Sequence, residues 1–319
     1  MNLIYTVAFG NPEHFYLCRE WVKSIRDHGY KESLVILSDK PFEVEGCRTI
    51  VCDWMEPSKL WKAAIRRAVN CSDYGKILFL DTDIPHLKNP DLFFSLEGIQ
   101  IPHEPITVIE SGLNSTFLSS EEKTKYGKMP SYNAGTILVP GSDADAFFTT
   151  WENEWRKIDY STEKDHWPLT LVYKGQMYDQ GILQAAIIRG KFPKMPVPME
   201  PFYIGFPALP GSGEEKCVAL HLCGLNHTDE NKRFVLDSMV KLRDANNVAE
   251  VSEALKYKHN STRALTRTMT RLAVNVNERL EYLEEKYAEA MEMIKELSQK
   301  IEVLSDPLEG KFETMEQGV

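Results

Sequence analysis

Long hydrophobic runs are missing from this 319-residue chain. Its longest apolar stretches, such as Ile77–Leu80, fall far short of the ~20 residues a bilayer-crossing helix needs, so no membrane span is expected. A basic surplus is missing too. Lys and Arg number 37 against 47 Asp and Glu, for a net charge of −10, and no basic stripe with interleaved aromatics marks a nucleic-acid face. The six cysteines (Cys18, Cys47, Cys52, Cys71, Cys217 and Cys223) include no CxxC pair and read as buried free thiols, not as a disulfide framework. Met1–Ala8 lacks a basic segment ahead of its apolar residues, so no secretory leader is expected and the compartment is read as reducing and cytoplasmic. No internal repeat is found.

What is present is a globular composition, 43% hydrophobic and 26% charged, enough for one large domain with an appendage or for two modest domains. The charge is uneven: residues 278–319 carry twelve acidic and five basic side chains, leaving the rest nearly neutral. Leu3–Phe9 reads as a strand, His14–His28 as a helix with apolar residues at Phe15, Cys18, Trp21, Val22 and Ile25, and Leu34–Leu37 as a second strand. A helix at Ser58–Val69 and a buried-type strand at Lys76–Leu80 follow. This order predicts an α/β sandwich on a mostly parallel sheet, in which ligands bind beyond the carboxyl ends of the strands. Pro85–Pro130 has weak periodicity; Gly135–Val139 reads as a strand, and Ala144–Lys157 and Gln180–Arg189 read as helices. Six prolines within residues 192–214 predict a long loop.

The C-terminal region has a different pattern. Leu280, Leu283, Tyr287, Ala290, Ile294, Leu297, Ile301 and Leu304 alternate steps of three and four, a heptad seam, before Asp306-Pro307 ends the helix. The expectation is a self-associating coiled coil, with a helix folded back on the body as the alternative. The division expected is a body over 1–235, a helical connector over 236–262, a long helix over 263–306 and an acidic tail over 307–319.

Asp81-Thr82-Asp83 closes the apolar strand 76–80. Two carboxylates at i and i+2 where a strand stops can converge on Mg²⁺ or Mn²⁺, which takes its other ligands from diphosphate and water. Acidic residues flank strand ends often enough that the pair alone says little. Three further segments lie at element boundaries: Tyr132-Asn133-Ala134-Gly135-Thr136, Tyr178-Asp179-Gln180-Gly181 and His221-Leu222-Cys223-Gly224. By itself Asn133-Ala134-Gly135 is an ordinary turn. Asp179 suits a helix N-cap, and His221 on an apolar run suits a satisfied core histidine. Trp151, Trp155 and Trp167 could stack on an acceptor sugar, but such spacing is more often core, and Trp151 and Trp155, four apart, suit one buried helix face.

Taken in order with Lys59-Leu60, these motifs resemble the GT-A glycosyltransferases, and within them glycosyltransferase family 8 and its glycogenin branch. The resemblance covers residues 1 to about 230 and implies a GT-A type, Rossmann-like α/β/α sandwich that transfers a sugar from a UDP-sugar, with retention, to a glycan or similar acceptor. It implies that Asp81, Asp83 and His221 hold the cation, that Lys59 reaches the donor, and that Thr6, Val7, Ala8 and Phe9 cradle the uridine. Thr82, Gly135 and Gly224 line the donor cleft on this reading, with Asn133, Asp179 and Gln180 beside the anomeric carbon. One departure stands out: the family's final lysine falls on His227, with Lys232 or Arg233 as possible replacements. A neutral histidine brings no full positive charge to a leaving diphosphate. A sugar-phosphate nucleotidyltransferase is a second enzymatic reading, but it would want a basic glycine-rich loop after the first strand, and Ala8-Phe9-Gly10-Asn11-Pro12 carries no base. A degenerate transferase serving as an oligomeric scaffold is a third.

Overall fold

The structure is a computed structural model that describes residues 1–10, 12–54, 58–111, 114–115, 117–157, 169–190, 192, 195–200, 203–205, 217–222, 237–241, 283–284 and 286–300. Its contacts divide the chain into Met1–His259 and Asn260–Val319, each described by itself.

In the first unit the strands run β1 (Leu3–Ala8), β2 (Ser33–Ser38), β3 (Arg48–Val51), β4 (Lys76–Leu80), β5 (Gln100–Ile101), β6 (His103–Thr107), β7 (Pro130–Tyr132), β8 (Thr136–Pro140), β9 (Val197–Pro198), β10 (Ile204–Gly205) and β11 (Ala219–Leu220). Seven form one sheet in the order β3-β2-β1-β4-β8-β5-β9. Only β8 opposes the rest, pairing antiparallel with β4 and β5, so the sheet is mostly parallel, as the sequence predicts. The chain leaves β1 for β2 on one side and reaches β4 on the other. The gap between the carboxyl ends of β1 and β4 is therefore a topological switch point, where open α/β sheets bind ligands.

Side chains alternate across this sheet with the strand period of two. Ile4, Ile36, Leu78, Leu80 and Leu138 pack with Phe15, Cys18, Trp21, Val22 and Ile25 of helix α1 (Pro12–Asp27). Leu3, Tyr5, Val35, Leu37, Ile77, Phe79, Ile137 and Val139 face the other way, onto Phe147, Phe148, Trp151 and Trp155. Those aromatics belong to α4 (Gly141–Trp155), which follows the two short helices α2 (Val108–Ser111) and α3 (Ser120–Tyr126). Trp151 and Trp155 are buried core, as their spacing suggests. Burial of each such side chain contributes about 1.5–3 kcal/mol. Trp167 lies outside the described residues.

Two elements differ from expectation. Ser58–Arg67 winds as a 3-10 helix; the Tyr5 hydroxyl donates to the Lys62 carbonyl at 2.5 Å, engaging an oxygen that an α-helix would commit to residue 66. Helix α5 spans Leu169–Arg189, eleven residues earlier than its apolar periodicity announces, because Leu169–Tyr178 mixes apolar and polar residues without a helical stripe. Asp179 therefore sits inside α5 and is not its N-cap. Glu152 of α4 is fully buried and receives Arg66 Nε at 3.0 Å, Arg67 Nε at 2.9 Å and Arg156 Nη2 at 2.6 Å. This cluster ties the 3-10 segment to α4.

Cys18, Cys47, Cys52, Cys71 and Cys217 form no disulfide among the described residues; burial pushes Cys47 up to about 12 and Cys52 and Cys71 up to about 11. No helix among the described residues is long and apolar enough to cross a membrane. In the second unit, residues 286–300 are helical.

Candidate functional site

Strand β4 delivers Asp81-Thr82-Asp83 to the switch point. The Asp81 N–H donates to the Gly135 carbonyl at 2.8 Å, so the turn before β8 holds the first carboxylate's backbone. Asp83 is fixed from the other side: its carbonyl accepts from Leu222 N at 3.0 Å, and Pro85 O accepts from Leu220 N at 3.1 Å. This pairing places His221, just past β11, against the acidic turn. His221 Nε2 lies 3.5 Å from Asp83 Oδ1, both side chains nearly inaccessible, and one ligand atom from each of Asp81, Asp83 and His221 falls within 4.8 Å of the others.

Gly135 makes this convergence possible. A Cβ there would lie 2.9 Å from His221 Nε2, closer still to Cε1, and 3.0 Å from Asn133 Oδ1. The imidazole thus packs against a backbone that any side chain would crowd. Asn133 donates its backbone N–H to Pro102 O and accepts from Gly135 N through Oδ1 at 2.9 Å, so it shapes the turn. Two carboxylates and an imidazole in a cradle kept open by glycine form a mixed oxygen and nitrogen donor set, one that fits a divalent cation of the Mn²⁺ or Mg²⁺ kind.

Charges within the site are strongly coupled. Burial raises the Asp81 carboxyl to about 6, against the pull of Lys62 and with the push of Asp83. Burial also opposes charge on Asp83, but the charge and hydrogen bond of His221 prevail and hold this carboxyl below the usual range. His221 loses proton affinity to burial and regains more from Asp83, so it stands above the ordinary histidine value.

Sequence reasoning missed Lys62. Its ammonium is buried, 2.5 Å from Asp179 Oδ2, 3.3 Å from Asp81 Oδ1 and 3.3 Å from the Ala134 carbonyl, over the Phe79 ring. Burial opposes its charge, yet the two carboxylates hold its pKa above the usual lysine value. A signal existed: Lys62 interrupts the apolar run Leu60-Trp61-Ala63-Ala64-Ile65, every member of which is buried. Lys59 belongs to the same 3-10 segment, but its side chain lies outside the described part, as do Gly224, His227, Lys232 and Arg233.

Gln180 faces a second buried network. Its Nε2 donates to Asn114 Oδ1 at 2.9 Å and to Glu104 Oε1 at 3.1 Å, and Asn114 Nδ2 donates to Tyr132 O at 2.9 Å and Gln184 Oε1 at 3.1 Å. Glu104, Asn114 and Gln184 carry no sequence motif and were not anticipated. At the other end of the cleft Thr6, Val7 and Ala8 are buried within β1, and Phe9 is half-buried at its exit. There His14 of α1 bridges Phe9 and Thr82, another contact without a linear signature.

No protein-family model matches the chain, and no curated protein matches it. Among solved structures it is similar to the glycosyltransferase GlyE of Streptococcus pneumoniae TIGR4, at 13% identity and a TM-score of 0.36 over 64% of this chain and 47% of that one. It is also similar to an active-site Gln-to-Glu mutant of LgtC, at 13% identity and 0.46 over 77% and 96%. A third is the bifunctional glycosyltransferase WbbM, at 12% identity and 0.46 over 78% and 51%. The aligned region spans about half the length of GlyE and of WbbM and nearly all of LgtC.

Proposed function

We propose that the chain is a metal-dependent glycosyltransferase whose donor is a nucleotide-sugar, specifically a UDP-sugar, and that it transfers the sugar with retention to a glycan or glycoconjugate. The observation that carries this reading is the meeting of Asp81, Asp83 and His221 at the sheet's switch point. On this reading Asp83 and His221 hold the cation, Mn²⁺ or Mg²⁺, with Asp81 sharing it. When bound, such an ion neutralises the diphosphate and stabilises its departure as a Lewis acid. The protein's own groups then do the positioning. Phe9 at the end of β1 borders the nucleoside, with Thr6, Ala8 and Thr82 behind it. Lys62 sits between Asp81 and Asp179 and balances their charge, while Lys59 reaches the donor sugar or phosphate. Asn133, Asp179 and Gln180 line the sugar, Gly135 keeps the cradle open, and Gly224 and His227 follow the last ligand. Unbridged, high-pKa thiols fit a reducing, cytoplasmic setting.

We also read residues 1–235 as the transferase domain, 236–262 as a connector, 263–306 as a long helix and 307–319 as a tail, with two copies associating through the helix. Leu283, Tyr287, Ile294 and Leu297 are all more than half exposed along one seam. Glu289, Glu292 and Glu296 fall on outward heptad positions, while Met291 and Met293 flank the seam.

Calorimetry with Mn²⁺ and then UDP tests the site. Wild-type protein should bind UDP only with the metal; Asp83→Ala should lose this binding, because the diphosphate charge is left uncompensated. Gln180→Ala should keep UDP affinity and lower turnover, as fits a group acting at the sugar. Undiminished UDP binding by Asp83→Ala would overturn the assignment. A panel of UDP- and GDP-sugars with Mn²⁺, followed by nucleotide release, identifies the donor.

A further inference from the structure

We infer that His14 is a positioning residue for the metal-bearing turn, acting through Thr82; the inference rests on the reading of Asp81, Asp83 and His221 as metal ligands. His14 stands in the first turn of α1, a helix whose Phe15, Cys18, Trp21, Val22 and Ile25 are locked in the core. Its backbone is thereby fixed. From this base the ring reaches two partners on neighbouring strand ends. Nδ1 lies 2.9 Å from the Phe9 carbonyl and 3.5 Å from the Phe9 N–H; the much shorter contact is to an oxygen that can only accept, so Nδ1 carries the proton. Nε2 is then an acceptor, and it lies 3.0 Å from Thr82 Oγ1. The Thr82 hydroxyl donates to it.

Thr82 is buried and stands between the two aspartates. Fixing its side chain fixes the backbone from which Asp81 and Asp83 project, in addition to the backbone hydrogen bonds to Gly135 and Leu222. The Phe9 ring meets the imidazole edge-on at 4.8 Å, so rotation of the ring about its own bond is opposed. One histidine therefore ties the exit of β1 to the turn after β4 across the switch point. Groups that orient metal ligands from behind usually influence affinity 10–100-fold, and His14 would act in that way through Thr82.

The test titrates Mn²⁺ alone into full-length protein, by calorimetry, and records metal-free melting. His14→Phe and Thr82→Val should each weaken Mn²⁺ binding by about tenfold or more. The double variant should be no weaker than either single one, because both changes break one link. His14→Gln, whose amide can still meet Thr82, and Thr82→Ser, which keeps the hydroxyl, should both stay near wild type. Metal-free melting should separate Val from Ser at position 82 far less than Mn²⁺ affinity does. Wild-type affinity in His14→Phe beside lost binding in Asp83→Ala would overturn the role of His14 and leave the metal site standing. Strictly additive losses in the double variant would overturn it as well. Absence of Mn²⁺ binding in the wild type would overturn the metal site itself, and this role with it. Should His14→Phe fail to fold, the contrast between Thr82→Val and Thr82→Ser decides the matter, equal affinities counting against the link.

Discussion

Lys62 and Asp179 come from segments 117 residues apart in sequence, yet the ammonium lies 2.5 Å from the carboxylate in a buried site. The same ammonium reaches Asp81 at 3.3 Å. A single cation thus separates two acids that would otherwise repel one another beside the metal site.

Removing that cation should be severe. Lys62→Met strips the cation from the buried Asp179 carboxylate and from the partly exposed Asp81 beside it, and breaking the buried Lys62–Asp179 pair costs about 3–5 kcal/mol. Lys62 is also the main influence drawing the Asp81 carboxyl down, so in the variant Asp81 takes up its proton more readily. A folded pKa of Asp81 raised further favours the folded state at low pH, and the deficit should shrink as pH falls from about 7 to about 5. Urea denaturation at both pH values checks the size and the sign.

Gly135→Ala should leave the sheet intact and destroy the cradle. The added methyl meets the His221 ring and Asn133 Oδ1, and the ring, being the end of a side chain, is what yields. Mn²⁺ affinity should fall at least about tenfold while the far-ultraviolet spectrum stays that of wild type. A variant with native metal affinity would show that His221 does not depend on this contact.

His86 makes the fold sensitive to acid. It is buried, and neither ring nitrogen has a hydrogen-bond partner among the described residues; burial, with a smaller push from His28, drives its pKa down to about 3. The unfolded chain takes up this proton near the ordinary value of 6.5. Stability from this residue is therefore full above 6.5 and declines as pH falls toward about 3, with a limiting slope of ~1.4 kcal/mol per pH unit. His86→Leu should flatten that part of the stability profile. At neutral pH it should be neutral or stabilising, since two unpaired buried nitrogens are exchanged for apolar surface.

Ile294→Lys should turn the full-length protein into a monomer by light scattering, with unchanged Mn²⁺ binding. A lysine at an inner heptad position places its charge in the seam, against the about 1.5–3 kcal/mol that a buried isoleucine contributes. A monomeric wild type would refute the association.

Much of this arrangement was legible in the linear sequence wherever a short-range pattern existed. Strand β4 matches its apolar run residue for residue because a doubly covered strand must be apolar throughout. Asp81-Thr82-Asp83 follows because the chain has to turn where β4 ends. Helix α1 and the core role of Trp151 and Trp155 follow from helical spacing. The start of α5 was hidden, since Leu169–Tyr178 lacks a stripe, and with it went the environment of Asp179.

Only the tertiary structure decided which groups meet. His221 joins the aspartates because residues 219–222 run beside residues 83–86, a pairing that no local pattern encodes. Lys62, not a residue of the expected Lys59-Leu60 motif, faces Asp81 and Asp179 because the 3-10 winding and the Glu152 clamp orient its segment. His14 reaches Thr82 because β1 and β4 are neighbours in space while 68 residues separate the two side chains. Periodicity acts between residues a turn apart and so can be read along the chain; electrostatic and hydrogen-bonded contacts act through space and depend on strand order, which periodicity leaves open.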